Sequence, residues 1–265
     1  MKFKIGHKQK KIMLSIILVI ITILIIIVSA LIWTMAFSYS SETAVYEKAR
    51  EKIIKTDNTD TSSSISVSET GQEKENGTAE VVPFLDIDFD ALSDMCPDMV
   101  GWLDIPDTNI SYPVVKGSDN NSYLSIDAFG NSSSLGAIYL NFNNSDDFSD
   151  YKSIIYGHNM RNGTMFHDLR YYGKLSYAKE HMNAYLYLPD GTIKIYTFIT
   201  SGIADSLDLN IYALRKEDNV QNTLNYFSTL SDSTTNVVSD NNILILSTCT
   251  GRVKSQRRVV IFQEL

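Results

Sequence analysis

Residues 12–33 read IMLSIILVIITILIIIVSALIW, 22 positions without a charge. No other segment restricts the chain so strongly. As a helix this run would be about 33 Å long, enough to cross a hydrocarbon layer of about 30 Å. A core helix of that length would carry a polar face, and here only Ser15, Thr22 and Ser29 interrupt the apolar surface. The segment is therefore predicted to be a transmembrane anchor. Lys2, Lys4, Lys8, Lys10 and Lys11 precede it, and the next charge after it is Glu42. The positive-inside rule then puts residues 1–11 in the cytoplasm and everything after residue 34 outside the cell. A cleaved signal peptide is the rival reading, but its apolar region is shorter and ends at an A-x-A-like site, which is not evident here.

The chain carries a net charge of −8, and removing the five lysines leaves −13 for the exterior part. Such an acidic surface argues against nucleic acid as a partner, because phosphate contacts require Lys and Arg. No Gly-rich phosphate loop is present, and no cofactor is implied. Asp146, Asp147 and Asp150 form an acidic cluster that reads as a solvated loop, so no metal site is indicated. There are two cysteines, Cys96 and Cys249. In an exported protein a disulfide is one possibility. A lone catalytic thiol with a distant His is the other.

Residues 34–82 are read as a stalk or flexible linker. Within it, 40–55 is charged and predicted as a short helix, whereas 56–80 has too few apolar residues to offset the entropy of ordering. The globular part is assigned to 83–265. A helix is expected at 86–95, with Asp86 or Asp88 as its N-cap. Short β-like runs follow at 110–115, 136–142, 152–158, 183–189, 192–200, 242–248 and 258–265. Pro189-Asp190-Gly191 is expected to join two of them as a hairpin. Helical interruptions are expected at 163–171 and 217–230. Many short strands with few helices predict a mainly β fold, a closed β-barrel of about eight strands with peripheral helices.

Three features carry chemistry. Tyr156-Gly157-His158-Asn159-Met160 ends an apolar strand, which places His158 at a loop rim. Leu246-Ser247-Thr248-Cys249 ends another, with Ser247 and Cys249 on one face and Thr248 on the other. Arg257-Arg258 opens the last strand, where neighbouring side chains point to opposite faces. Each has an ordinary structural explanation: a surface His, an inert buried Cys, a solvated basic pair. Together they supply a thiol, a proton donor for a leaving amine and a donor for an oxyanion. His7 is cytoplasmic, while His167 and His181 lack strand-end placement.

From residue 83 onward the sequence resembles the class B sortases. The resemblance rests on Gly101-Trp102-Leu103-Asp104-Ile105-Pro106, Tyr112-Pro113-Val114-Val115, Asp119-Asn120 with Tyr123-Leu124, and Gly136-Ala137-Ile138-Tyr139-Leu140. Ile155-Tyr156-Gly157-His158-Asn159-Met160, Gly163-Thr164-Met165-Phe166 and Leu246-Ser247-Thr248-Cys249 complete it. It implies a β-barrel cysteine transpeptidase outside a Gram-positive-type membrane, with Cys249 as nucleophile and His158 as general acid and base. The catalytic Arg in this resemblance immediately precedes the β-branched run, which selects Arg258 over Arg257 and Arg252. Asn120, Leu124, Ser247 and Thr248 are expected to bind substrate. Implied partners are secreted proteins with a C-terminal sorting motif, Asn-Pro-x-Thr-like in many members, and a peptidoglycan precursor amine.

Thr250 and Gly251 stand where some members carry an acidic residue after the Cys. Because the family works through a free thiol, the resemblance also speaks against a Cys96–Cys249 disulfide. Alternatives are a pilin-polymerising or housekeeping-class sortase, or a catalytically silent surface-binding module. A papain-like hydrolase is disfavoured, because His158 precedes Cys249 by 91 residues and that family has the opposite order.

Overall fold

The computed structural model describes residues 7–54, 84–215, 219–235 and 240–265. They fall into two units, one ending at Val45 and one running from Tyr46 to Leu265. Helix α1 (His7–Ile53) carries the apolar run. It is long and apolar enough to cross a membrane, and Ile12, Leu18 and Ile26 are exposed along it. The apolar run 12–33 and most of the segment 40–55, expected to be helical, lie in this one helix, which runs unbroken to Ile53. The reason lies in its last two turns: Tyr46, Ala49 and Ile53 recur at helical spacing and are all buried in the second unit. Residues 55–82 of the expected stalk lie outside the described residues.

After the end of α1 the second unit continues with α2 (Phe89–Met95). The Asp88 carboxylate accepts the Ala91 N–H at 3.0 Å, and Leu92 faces inward, fully buried. Nine strands follow: β1 (Met99–Asp104), β2 (Ser111–Val115), β3 (Ile138–Leu140), β4 (Lys152–Tyr156), β5 (Asn183–Tyr187), β6 (Ile193–Asp205), β7 (Ser231–Thr234), β8 (Ile243–Cys249) and β9 (Gln256–Glu264). They hydrogen-bond in the order β5-β1-β2-β3-β4-β8-β9-β6-β7, and β5 also pairs with β6. That last pairing closes eight strands into a barrel, with β7 added on the outside of β6. The closed eight-stranded barrel agrees with the fold expected from the sequence.

Between β4 and β5 run a 3-10 helix (His167–Gly173) and α3 (Leu175–Glu180); α4 (Leu209–Tyr212) and α5 (Val220–Phe227) lie between β6 and β7. The sequence reading found neither β1 nor β7 among its strand runs. β1 contains Gly101 and Trp102 and lacks an apolar–polar alternation, because its last four residues are all buried. β7 reads SDST, with nothing apolar to mark it.

One face of β4, β8 and β9 is covered by α4 and α5. Ile154, Ile243, Ile245, Val259 and Ile261 pack there against Ile211, Val220, Leu224 and Phe227. The cover ends at Tyr212, whose hydroxyl is 2.9 Å from Ser247 Oγ. Beyond Ser247 the same strand face continues to Cys249, which is half-buried.

Candidate active site

β4 and β8 are parallel neighbours, with Ile154 opposite Ile245 and Tyr156 opposite Ser247. Two residues further along each chain come His158 and Cys249. The continuation beyond the strands is held by three bonds. Gly157 N donates to Ser247 O at 3.2 Å, Thr248 Oγ1 to Gly157 O at 2.8 Å, and Asn159 Nδ2 to Cys249 O at 2.9 Å. Glycine is required at 157: a Cβ there would lie 2.4 Å from Ile138 Cδ1 and 2.8 Å from the Phe166 ring. A close-packed Phe166 thus sits behind the residue that delivers His158. His158 Nε2 is 2.8 Å from the Leu124 carbonyl, which can only accept, so this nitrogen carries its hydrogen and the ring orientation is fixed.

On the other side, β8 and β9 are antiparallel, with Ser247 opposite Val259, Thr248 opposite Arg258 and Cys249 opposite Arg257. Directly opposed residues share a face. Arg257 therefore stands beside Cys249, and Arg258 points to the opposite side of the sheet. The resemblance selects Arg258 for the place beside the thiol, whereas the strand register sets Arg257 there. Its Nη1 donates to Asp232 at 2.7 Å and to Ser201 Oγ at 3.1 Å, and its side chain is largely buried in that ion pair. Arg257 Nη1 donates to the carbonyls of Lys254 and Gln256 in the β8–β9 loop. A guanidinium has five N–H donors, so this folded-back pose leaves donors in the fork uncommitted by these bonds.

A wall of tyrosines adjoins this row. The Tyr139 and Tyr156 rings lie 5.3 Å apart and those of Tyr156 and Tyr212 6.1 Å apart. Burial pushes the Tyr139 hydroxyl well above its usual range; Tyr156 adds to that effect, Arg257 opposes it and Cys249 adds to it. The phenol thus senses both groups. The sequence motifs contain Tyr139 and Tyr156 but assign no role to either, and Tyr212 lies outside them; the one available signal is Tyr156, two residues before His158 in the same extended run.

The four expected substrate-binding residues separate into two groups. Leu124 is exposed, and its backbone carbonyl holds His158. Asn120 is half-buried and accepts the Phe142 N–H at 3.1 Å, pinning the 119–124 turn to the end of β3. Ser247 and Thr248 are buried, with hydroxyls engaged by Tyr212 and Gly157, so they hold the strand end rather than offer free donors. Cys96 and Cys249 are both free thiols. Burial, then Asp98 and Asp127, push the Cys96 thiol up to about 12, which keeps it protonated and inert. A cavity of about 540 Å³ lined by Arg50, Asp104, Lys179, Glu180 and His181 includes none of the chemical row.

A closed eight-stranded barrel with Cys, His and Arg at one end of three adjacent strands defines a fold and a site together. The family model described as "Sortase domain" matches residues 103–265, and the chain belongs to the sortase family. Within that family its likeness is to class B members. Sortase B of Listeria monocytogenes is 47% identical over 75 residues, which are 28% of this chain and 30% of that protein. Sortase B of Staphylococcus aureus is 33% identical over 93 residues, 35% of this chain and 38% of that protein. The chain thus spans about a third of the length of these curated relatives in the matched stretches. Clostridium perfringens sortase B superposes with a TM-score of 0.61 at 27% identity, covering 67% of this chain and 99% of that one.

Proposed function

We propose that the chain is a membrane-anchored cysteine transpeptidase whose reacting groups are Cys249, His158 and Arg257. The observation that carries this reading is the strand arrangement: Cys249 ends β8, His158 follows two residues past the end of the neighbouring β4, and Arg257 lies opposite Cys249 on β9. The Cys249 thiolate attacks the Thr carbonyl carbon of a sorting motif, forming a C–S bond. Negative charge moves to the carbonyl oxygen, where the Arg257 fork donates hydrogen bonds. Collapse breaks the C–N bond, and the leaving amine takes a proton from the His158 imidazolium. An acceptor amine then attacks the thioester, gives its proton to His158 and expels the thiolate. A peptidoglycan precursor is the acceptor that the class B likeness suggests, and Asn-Pro-x-Thr-like sequences are the motifs to try first. Helix α1 would hold the enzyme at the membrane, N-terminus inside, because Lys2, Lys4, Lys8, Lys10 and Lys11 crowd the flank before the apolar run and no charge follows it until Glu42.

The test is incubation of the full chain in detergent micelles with a library of quenched peptides varied around x-Pro-x-Thr. The expected result is cleavage after Thr and a mass increase on Cys249 equal to the acyl fragment. A chain that cleaves nothing and shows no preferential alkylation of Cys249 by iodoacetamide would be a binding module instead. Protease added to intact protoplasts should remove the part beyond residue 34; protection of that part would overturn the orientation.

A further inference from the structure

We infer that Tyr46, near the end of α1, is a positioning residue for His158, a role that rests on the catalytic reading above. Tyr46 lies in the same compact unit as the barrel and is 6% exposed. Its hydroxyl donates to the Gly136 carbonyl at 2.9 Å and accepts the Ala128 N–H at 3.1 Å. Both partners belong to the loop between β2 and β3, and one phenol therefore staples two separate points of that loop. Burial pushes the phenol well above its usual range, so it remains a donor at every working pH.

The stapled loop is the one that touches the imidazole. Gly136 has φ +60°, and a Cβ on it would fall 3.0 Å from His158 Cδ2 and 2.7 Å from Tyr123 O. Ala137 N donates to that same Tyr123 carbonyl at 3.1 Å, and the adjacent Leu124 carbonyl holds His158 Nε2 at 2.8 Å. The chain of contacts thus runs from the Tyr46 hydroxyl through Gly136 to the imidazole edge and to the carbonyl that orients it.

A second path leads from the Tyr46 ring. It packs edge-on against Tyr112, with centroids 5.5 Å apart. The Tyr112 hydroxyl accepts the N–H of Met165, a non-glycine residue at φ 58°. The next residue, Phe166, donates its N–H to the His158 carbonyl at 2.9 Å. Tyr46 thereby supports both segments that hold His158, one at the ring and one at the backbone, without reaching substrate itself.

The experiment compares full-length Tyr46→Phe and Ile53→Val, with Cys249→Ala as reference, on the best-cleaved peptide of the library above. Tyr46→Phe keeps the ring contacts and removes only the two hydroxyl bonds. Ile53→Val trims a fully buried residue of the same helix and leaves those bonds in place. Tyr46→Phe is expected to lower kcat about tenfold through misplacement of the imidazole, with KM held within about twofold. Ile53→Val is expected to lower Tm about as much as Tyr46→Phe lowers it, with kcat unchanged. Equal kcat loss in the two variants, or an unchanged kcat in Tyr46→Phe, overturns the positioning role. If Tyr46→Phe is unfolded at the assay temperature, both variants and the parent chain are compared below its Tm, where a lowered kcat in the folded Tyr46→Phe supports the role and a parental kcat overturns it. Undiminished turnover by Cys249→Ala would instead overturn the catalytic reading, so the two failures are separable.

Discussion

The two adjacent arginines give the sharpest test of the site, because alanine at each should fail in a different way. Arg257→Ala removes the guanidinium that faces Cys249. Loss of an oxyanion donor costs about 10²–10³ in kcat, or about 2.7–4 kcal/mol of transition-state stabilisation. Among the described residues its hydrogen bonds go to the carbonyls of Lys254 and Gln256, next to it in sequence, so stability should hardly change. Arg258→Ala removes an ion pair with Asp232 in which the arginine is 13% and the aspartate 40% exposed. Solvent reaching Asp232 reduces the worth of the pair, so the loss should be about 1 kcal/mol, lowering Tm by about 2–4 °C in a unit of this size. The assays are steady-state cleavage of a quenched peptide and thermal unfolding by circular dichroism, on both variants. Arg257→Lys should rescue little, since a point charge cannot reproduce the fork. A slow, stable Arg258→Ala beside a fully active Arg257→Ala would refute the register argument.

Three further outcomes follow from local geometry. Gly157→Ala should lower Tm markedly and slow turnover, because the new methyl would meet Ile138 and the Phe166 ring below 3 Å, and a crystal structure should show His158 displaced. Thr248→Val should cost about 1 kcal/mol in urea unfolding, since the half-buried Gly157 carbonyl loses its 2.8 Å donor, whereas Thr248→Ser should be close to neutral. Site-resolved alkylation of the native chain should label Cys249 and spare Cys96. Because burial raises the Cys96 thiol to about 12 from an ordinary 9.0, its contribution to stability is complete below pH 9 and is lost as pH rises toward 12. Unfolding titrations should show that alkaline loss reduced in Cys96→Ala, and an identical pH profile would refute it.

The charge-free run at 12–33 determined a long apolar helix by composition alone, and the alternating short runs determined a β-rich domain, because both are periodicities of the chain itself. The placement of Cys249 at the end of β8 and of His158 two residues past β4 was legible for the same reason, because apolar strand runs carry the residues at their ends to a rim. The tyrosine wall was not, since Tyr139, Tyr156 and Tyr212 meet only when β3, β4 and α4 are brought together. Nor could the role of α1 beyond residue 33 be read, because Tyr46 finds its partners 82 and 90 positions away.

The choice between Arg257 and Arg258 shows most clearly where sequence stops. Alternation established that the two point to opposite faces, but which face belongs to Cys249 depends on the register of β8 against β9. That register is set by how the loop from Thr250 to Ser255 closes, with Thr250 N donating to Gln256 O at 3.2 Å. One residue more or less in the effective turn would exchange the faces of every side chain in β9, because the side-chain period of a strand is two. Residue types fixed which chemistry was available; the pairing of strands decided which arginine stands beside the thiol.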